Sequence, residues 1–252
     1  MAWVESIYPS FRARHESQDA RDTELLVEAL QASRQQLGEL FPRAPEELTV
    51  VVHGSSAALL LAQPYLAAAR ALTAPAGRRY LVGWFGSGEL HVLAPRLMAR
   101  RASNVPGSRE LLSLAPQWLY ASVLVGANNP ELPPPFTFAS FMRYMRWAWL
   151  AQGAAQYFSG QVEHLRPAIK RRLHEGGRPT FPPGVRDAPL LGGTVFDLLA
   201  REEGRPAAAQ LACRLHPGGA GPALVKAFGG RALRHSEDAW RHHLDRLARS
   251  ER

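Results

Sequence analysis

Cysteine, lysine and long apolar runs are scarce in this chain of 252 residues. Cys213 is the single cysteine, which excludes an intrachain disulfide and a metal site built from several thiolates. No apolar run approaches the roughly 20 residues of a transmembrane helix. No basic segment followed by an apolar one marks a secretory signal at the N-terminus. These absences predict a protein of a reducing, cytoplasmic compartment without a membrane segment.

Arginine supplies almost all of the positive charge, because Lys170 and Lys226 are the only lysines and the formal net charge is +8. The densest basic runs, at residues 100–101 and 170–172, are not interleaved with aromatic side chains on which bases could stack. The abundance of alanine, glycine and proline indicates compositional drift, so a nucleic-acid partner is not favoured. A basic nucleic-acid-binding protein stays an alternative, which arginines converging on one face would support.

Hydrophobic patterns predict a small α/β layer in the first 100 residues. Leu26, Leu30 and Leu37 recur on one face of a long helix, and Ser55 or Ser56 is placed to cap a later one. The predicted elements are a strand over 6–15, a helix over 19–41, a strand over 48–53, a helix ending near 70, and a hairpin of strands 80–85 and 89–94.

The rest of the chain is predicted to be helical. Helices are expected over 108–125, 140–159, 191–203, 206–214, 220–228 and 236–249, with proline- and glycine-rich loops at 128–136 and 176–189. We therefore predict an α+β fold, in which a small N-terminal mixed β-sheet layer with a long helix precedes a mainly helical C-terminal half. One domain over 1–252 is expected, with an α/β subdomain at 1–100 and a helical subdomain at 101–252.

One segment, W-L-A-Q-G-A-A-Q-Y-F-S-G from Trp149 to Gly160, carries a motif. It resembles the second motif helix of gluzincin-like zinc metallopeptidases of the peptidase MA-like family, where the pattern is roughly W-L-x-E-G-x-A-x-Y-F-x-G. The resemblance implies a zincin-like fold and makes the glutamate before the glycine the third zinc ligand; Gln152 stands there in this chain. It also implies that Gly153 and Ala154 pack against the helix carrying HExxH. The alternative is an ordinary core helix.

Other segments extend the resemblance over nearly the whole chain. The order of strands and helices over 6–95 is similar to the N-terminal layer of the family. Residues 191–199 resemble its later G-G-x-F-x-x-x-L helix, and residues 235–247, with Trp240, resemble its closing helix. The resemblance therefore implies one zincin-like domain.

The HExxH motif of that family places two histidines one helical turn apart, with a glutamate that polarises the zinc-bound water. On the best register Gln117 and Ala121 stand at the two histidines and Trp118 at the glutamate. No histidine occurs between His91 and His164. A neutral amide is a poor zinc ligand and an indole accepts no proton. The sequence therefore predicts no metal, no cofactor and no enzymatic activity.

These substitutions predict a pseudopeptidase, a catalytically inactive protein on a metallopeptidase scaffold. We expect a remnant of the active-site cleft between the two halves, with a binding or scaffolding role towards an unknown protein or peptide partner. The former motif positions define this predicted remnant cleft: Gln117, Trp118, Tyr120, Ala121, Gln152 and Gln156. The hairpin at 80–95 could offer a strand edge to an extended peptide.

Several alternatives stay open at this point. Gln152 and Gln156 could be buried amides bonded to each other's backbone or to Gln117, and Trp118 could plug the site in a purely structural protein. A residual hydrolase with an unrecognised site would need ionisable groups with strongly perturbed pKa values in a cleft. The G-S-S segment at 54–56 loosely resembles a nucleophile elbow, but the final glycine of G-x-S-x-G is missing and helix capping explains it better.

Overall fold

The computed structural model describes residues 2–175 and 177–249 of the chain. Within these residues, a sheet of five strands precedes a series of helices. The strands are β1 (Trp3–Ile7), β2 (Phe11–Glu16), β3 (Leu48–His53), β4 (Gly83–Phe85) and β5 (Glu89–Leu93). They lie in the order β1-β2-β3-β5-β4, with β2, β3 and β5 parallel and the two edge strands antiparallel to their neighbours. The predicted α+β class with an N-terminal mixed sheet is confirmed.

The predicted single strand over 6–15 is wrong, because the chain reverses direction near Pro9 and forms the β1–β2 hairpin. The backbone N–H of Tyr8 donates to the Phe11 carbonyl at 2.8 Å and closes the turn. Proline has a fixed φ and no N–H, so it suits a turn and not the middle of a paired strand. The alternation of apolar residues continues through the turn, which is why it predicted one strand.

The first half of the chain also contains the helices α1 (Ala20–Gly38), α2 (Ser56–Ala62), α3 (Pro64–Leu72), α4 (Pro75–Arg78) and α5 (Pro95–Arg101). Of these helices, α1, α2 and α3 contact the sheet. The Ser55 side chain accepts a hydrogen bond from the Ala58 N–H at 3.1 Å, which confirms the predicted cap. The helix predicted to run on to residue 70 is divided at Gln63, because the Pro64 ring cannot donate within a helix and clashes with the preceding turn.

Two predicted long helices each form as two segments. The segments are α6 (Ser108–Ser113), α7 (Ala115–Asn128), α8 (Phe138–Arg146) and α9 (Ala148–Phe158). The first division falls at Leu114, since Pro116 has no N–H to donate to the carbonyl one turn earlier. The second falls at Trp147, where φ is −102° and ψ is 23°. Thr137 and Ser140 cap α8 reciprocally, side chain to backbone.

The last part of the chain adds α10 (Arg166–His174), α11 (Ala188–Glu203), α12 (Arg205–Ala212), α13 (Ala220–Ala227) and α14 (Leu233–Arg249). α7 packs on α1, β4 and β5, whereas α9 lies between α7 and α11. One continuous core of buried apolar side chains joins the sheet to these helices. Across the described part of the chain, no helix combines the length and the apolar character needed to cross a membrane.

Candidate functional site

α9, which carries the recognised motif, is buried almost throughout. Its residues from Ala148 to Gln156 are all buried, between α7 on one side and α11 on the other. A helix that is enclosed all round is a core element, and its polar side chains need partners inside the protein. Gln152 and Gln156 are those polar side chains.

Gly153 and Gly192 bring the backbones of α9 and α11 into direct contact. A Cβ atom built on Gly153 would lie 2.6 Å from the carbonyl carbon and oxygen of Gly192. The neighbouring Gly193 is also constrained, since its Cβ would lie 2.6 Å from the Val162 side chain. Gly153 was predicted to pack against the helix at the HExxH position, and this is wrong. The glycine serves the contact with α11, not the contact with α7.

Gln156 is a buried amide whose oxygen and nitrogen each form one hydrogen bond, and both bonds link α9 to α11. Its Oε1 accepts the Gly193 backbone N–H at 2.8 Å, and its Nε2 donates to the Ala188 carbonyl at 3.3 Å. The alternative of a buried amide bonded to backbone therefore applies to Gln156, but its partners belong to α11 and not to Gln152. Both ends of this side chain are engaged, so Gln156 has a structural role.

Gln152 has the opposite environment, because neither its amide oxygen nor its amide nitrogen has a hydrogen-bond partner among the described residues. The residue is 1% exposed. Its side chain faces the Tyr144 hydroxyl, whose pKa is raised by burial although the Gln152 amide opposes the rise. The Tyr144 hydroxyl and the Trp84 indole N–H are likewise buried without a well-formed hydrogen bond. Gln152 thus lies in a polar spot enclosed by the core, together with the Tyr144 hydroxyl and the Trp84 indole N–H.

An aromatic cluster fills the space beside this spot and lies on the edge strand β4. Its rings are 5.0–6.4 Å from their neighbours and belong to Tyr65, Trp84, Phe85, Phe136, Phe141 and Tyr144. All three residues of β4 are buried. The hairpin was predicted to offer this edge to an extended peptide, but the protein's own rings already cover it.

The α7 residues predicted to line the remnant cleft point into different surroundings. Tyr120 lies on the sheet side, with its ring 6.0 Å from that of Phe11. Trp118 is only 7% exposed, and Ala121 is buried. Gln117 lines a mainly apolar pocket of about 230 Å³ whose other walls come from α1, α5 and α6.

The prediction of one remnant cleft lined by all six residues is therefore wrong. Trp118 and Tyr120 lie two residues apart on α7 and therefore point to nearly opposite sides of the helix, so they cannot line one wall. On α9, Gln152 and Gln156 lie one turn apart on the same side of the helix, but Gln156 bonds to α11 whereas Gln152 faces Tyr144 of the aromatic cluster. Among the described residues, no three or more His, Cys, Asp or Glu side chains lie together as metal ligands would.

A buried histidine pair on neighbouring strands was not predicted. His53 of β3 and His91 of β5 are both buried, with Nε2 and Nδ1 2.9 Å apart, and the Nε2 of His91 lies 3.1 Å from the Glu89 carboxylate. A carboxylate only accepts, so His91 donates to Glu89 through Nε2 and accepts the His53 proton at Nδ1. His91 lies within the mainly apolar strand β5 and His53 ends the mainly apolar strand β3. This signal becomes useful only once the two strands are known to pair.

This pair predicts a loss of stability in mild acid. Burial, and then the charge of His91, lowers the pKa of His53 to about 4. The unfolded state therefore binds a proton at this residue near pH 6.5, whereas the folded state binds it only near pH 4. The contribution of His53 to the free energy of unfolding is fully present above pH 6.5 and is lost as the pH drops towards 4. We expect a loss of about 2 kcal/mol in the free energy of unfolding across this window.

Urea unfolding of the wild type and of His53→Gln, measured from neutral pH down to pH 4, isolates this contribution. The difference in unfolding free energy between the two proteins should shrink as the pH falls, because the variant has no proton to take up at this position. A difference that stays constant over the window would show that His53 does not contribute in this way.

Comparison of the chain with protein-family models, with curated proteins and with solved structures found no match.

Proposed function

We propose that this protein is a pseudopeptidase: a non-catalytic relative of the gluzincin-like peptidases that keeps their helical scaffold and acts by binding. The support comes from a mixed sheet followed by α7 and α9, two neighbouring helices that pack together beside the edge strand β4. The motif from Trp149 to Gly160 lies on the second of these helices. A cytoplasmic location belongs to the same proposal and rests on the single cysteine.

The environment of Gln152 carries the proposal. A metal ligand needs a lone pair aimed at an ion and further ligands around it. Gln152 instead presents a neutral amide to the Tyr144 hydroxyl in an enclosed, aromatic-rich region. Trp118 and Ala121, at the proposed general-base and second-histidine positions, add an indole and a methyl group, which neither bind zinc nor accept a proton.

The burial of these positions also bears on where binding takes place. Trp118 and Gln152 are both in the core, and the rings of the aromatic cluster lie against β4. A partner could reach this region only by displacing packed side chains, at a cost of several kcal/mol. We therefore assign the binding role to the outer surface and treat the former active-site region as the structural centre of the scaffold.

A peptidase assay in the presence of added zinc tests the proposal. We expect no cleavage of casein or of a library of fluorogenic peptides by the wild-type protein, with or without zinc. The Gln117→Ala variant is the matched control, because a trace of contaminating peptidase would give the same rate with both proteins. Zinc-dependent cleavage that a chelator abolishes and the variant lacks would contradict a non-catalytic role.

A further inference from the structure

A cleft of about 770 Å³ lies between the two halves of the molecule, away from α9. One wall is formed by α4 with the residues that flank it up to Tyr80, and by the segment around Ser103 and Val105. The opposite wall is formed by α10 and the start of α11. The backbone N–H of Ala74 donates to the Arg186 carbonyl at 3.4 Å and joins the two walls. Clefts between structural units are a common location for small-molecule sites, and this volume lies in the usual range for them.

Positive charge dominates the lining of this cleft. The charged residues along it are Arg79, Arg171, Arg172, Arg186, Glu175 and Asp187. The two carboxylates are already engaged: Arg171 bonds Glu175 at 2.7 Å, and Arg172 holds Asp187 through two bonds of 2.8 and 2.9 Å.

Two arginines at the cleft are exposed and lack a counterion. The Arg79 and Arg186 side chains form no ion pair with any residue in the described part of the chain. They come from different segments of the chain, one beside α4 and one before α11. Two guanidinium groups without an ion-pair partner that line one cleft are suited to one ligand that carries more than one negative charge.

Two further arginines add to the positive field at Arg79, because Arg101 lies close to Arg79 and Arg70 lies close to Arg101. Arg101 Nε donates to the Arg79 carbonyl at 3.4 Å, and Arg70 donates to the Leu81 carbonyl at 2.9 Å, so their partners are neutral oxygens. Burial and then the charge of Arg79 lower the pKa of Arg101, and burial and then the charge of Arg101 lower the pKa of Arg70 to about 10. A bound anion would relieve this repulsion.

The cleft also has an apolar part. Tyr80, Val105, Ala168 and Leu190 line it together with the charged residues. A bare inorganic ion would leave these side chains unused, whereas a ligand with an organic portion would cover them. The lining therefore combines cationic and apolar side chains.

We propose that this cleft binds a small organic anion with at least two negative charges, either a phosphate ester or a di- or tricarboxylate. Arg79 and Arg186 hold the anionic group from both sides, and the organic part lies against Tyr80 and Val105. Guanidinium groups bind phosphate and carboxylate with the same paired N–H geometry, so the structure defines the charge and size of the ligand. The site rests on the cleft itself and does not depend on the proposed lack of catalysis.

Calorimetric titration at constant ionic strength tests the site with three probes: AMP, inorganic pyrophosphate and citrate. We expect AMP or citrate to bind with a Kd of about 1 mM or tighter, and pyrophosphate to bind more weakly than the tighter of these two. Whichever organic anion binds more tightly identifies the ligand as a phosphate ester or a carboxylate. Failure of all three probes to bind at about 10 mM would overturn the proposal.

A pair of double variants separates a defined site from diffuse charge. Arg79→Gln with Arg186→Gln should weaken probe binding by about tenfold or more. The control, Arg21→Gln with Arg234→Gln, removes the same net charge from exposed positions outside the cleft lining and should change binding less than about twofold. Equal weakening by both double variants would contradict a defined site. Competition with a single-stranded oligonucleotide is the last test. If the oligonucleotide displaces the probes, and both double variants weaken its binding equally, the protein has a general polyanion-binding surface and the proposed site is overturned.

Discussion

Replacing Gly153 by alanine is expected to lower the free energy of unfolding by about 3 kcal/mol. The added Cβ would lie 2.6 Å from backbone atoms of Gly192, which cannot rotate aside as a flexible side chain can. α9 and α11 would have to separate, and that would loosen the core between Trp149 and Phe196, whose rings are 6.5 Å apart. Thermal unfolding followed by circular dichroism should show a melting temperature lower by roughly 6–12 °C.

Gly38→Ala is the matched control for this prediction. It adds the same methyl group to a helix, but a Cβ at Gly38 has no neighbouring atom within 4 Å. This exposed residue ends α1, so alanine should leave stability unchanged or raise it by up to about 1 kcal/mol. Wild-type stability in Gly153→Ala would mean that the two helices are not in backbone contact.

Replacing Gln152 by glutamate, the residue that the resemblance places there, is expected to destabilise the protein by about 3 kcal/mol at neutral pH. The introduced carboxylate would be buried beside the Tyr144 hydroxyl without a cation. Burial raises the pKa of such a carboxyl group, so the folded state would hold a proton that the unfolded state releases. The loss should therefore be small in mild acid and grow as the pH rises, which urea unfolding at about pH 5 and pH 7 can measure.

Gln152→Met separates the effect of charge from the effect of shape. Methionine has a similar volume and removes two buried polar atoms that have no partner, so its stability should equal or exceed that of the wild type. Added zinc should not raise the melting temperature of Gln152→Glu. Stabilisation of that variant by zinc would show that further ligands lie within reach of position 152, contrary to the proposed loss of the metal site.

Local pattern was sufficient to predict several elements of the fold. The β-branched run at 48–53 forms β3 at the predicted bounds, and the apolar stripe through Leu26, Leu30 and Leu37 is buried in α1. β3 is buried along almost its whole length, as a continuous apolar run predicts, and the burial of α1 follows the 3.6-residue repeat of its leucines. Prolines limited this approach: Pro64 and Pro116 divided helices whose apolar pattern runs on without interruption.

The neighbours of the motif helix could not be predicted in the same way. The sequence around Gly153 indicates a position of close helix packing, but it does not indicate whether α7 or α11 makes the contact. The answer lies in Gly192 and Gly193, about forty residues later, and it depends on tertiary packing. Tertiary packing also determines the different environments of the two amides of α9: Gln156 bonds to the backbone of α11, whereas Gln152 faces Tyr144.

The charged cleft shows a similar limit. The arginine excess is visible in the composition, and no cluster along the sequence distinguishes Arg79 and Arg186 from the other arginines. They come to one cleft because α4 and the start of α11 are adjacent in space. Which charged residues from distant segments meet depends on the tertiary structure, so the sequence alone does not predict this cleft.

The central proposal is that Gln152, Trp118 and Ala121 occupy the positions at which the peptidase family has its zinc ligands and general base. The metal content of the purified protein is the most direct test of this proposal. Elemental analysis after extensive dialysis should find zinc and other transition metals far below one atom per chain. One firmly held zinc ion per chain would contradict the proposal.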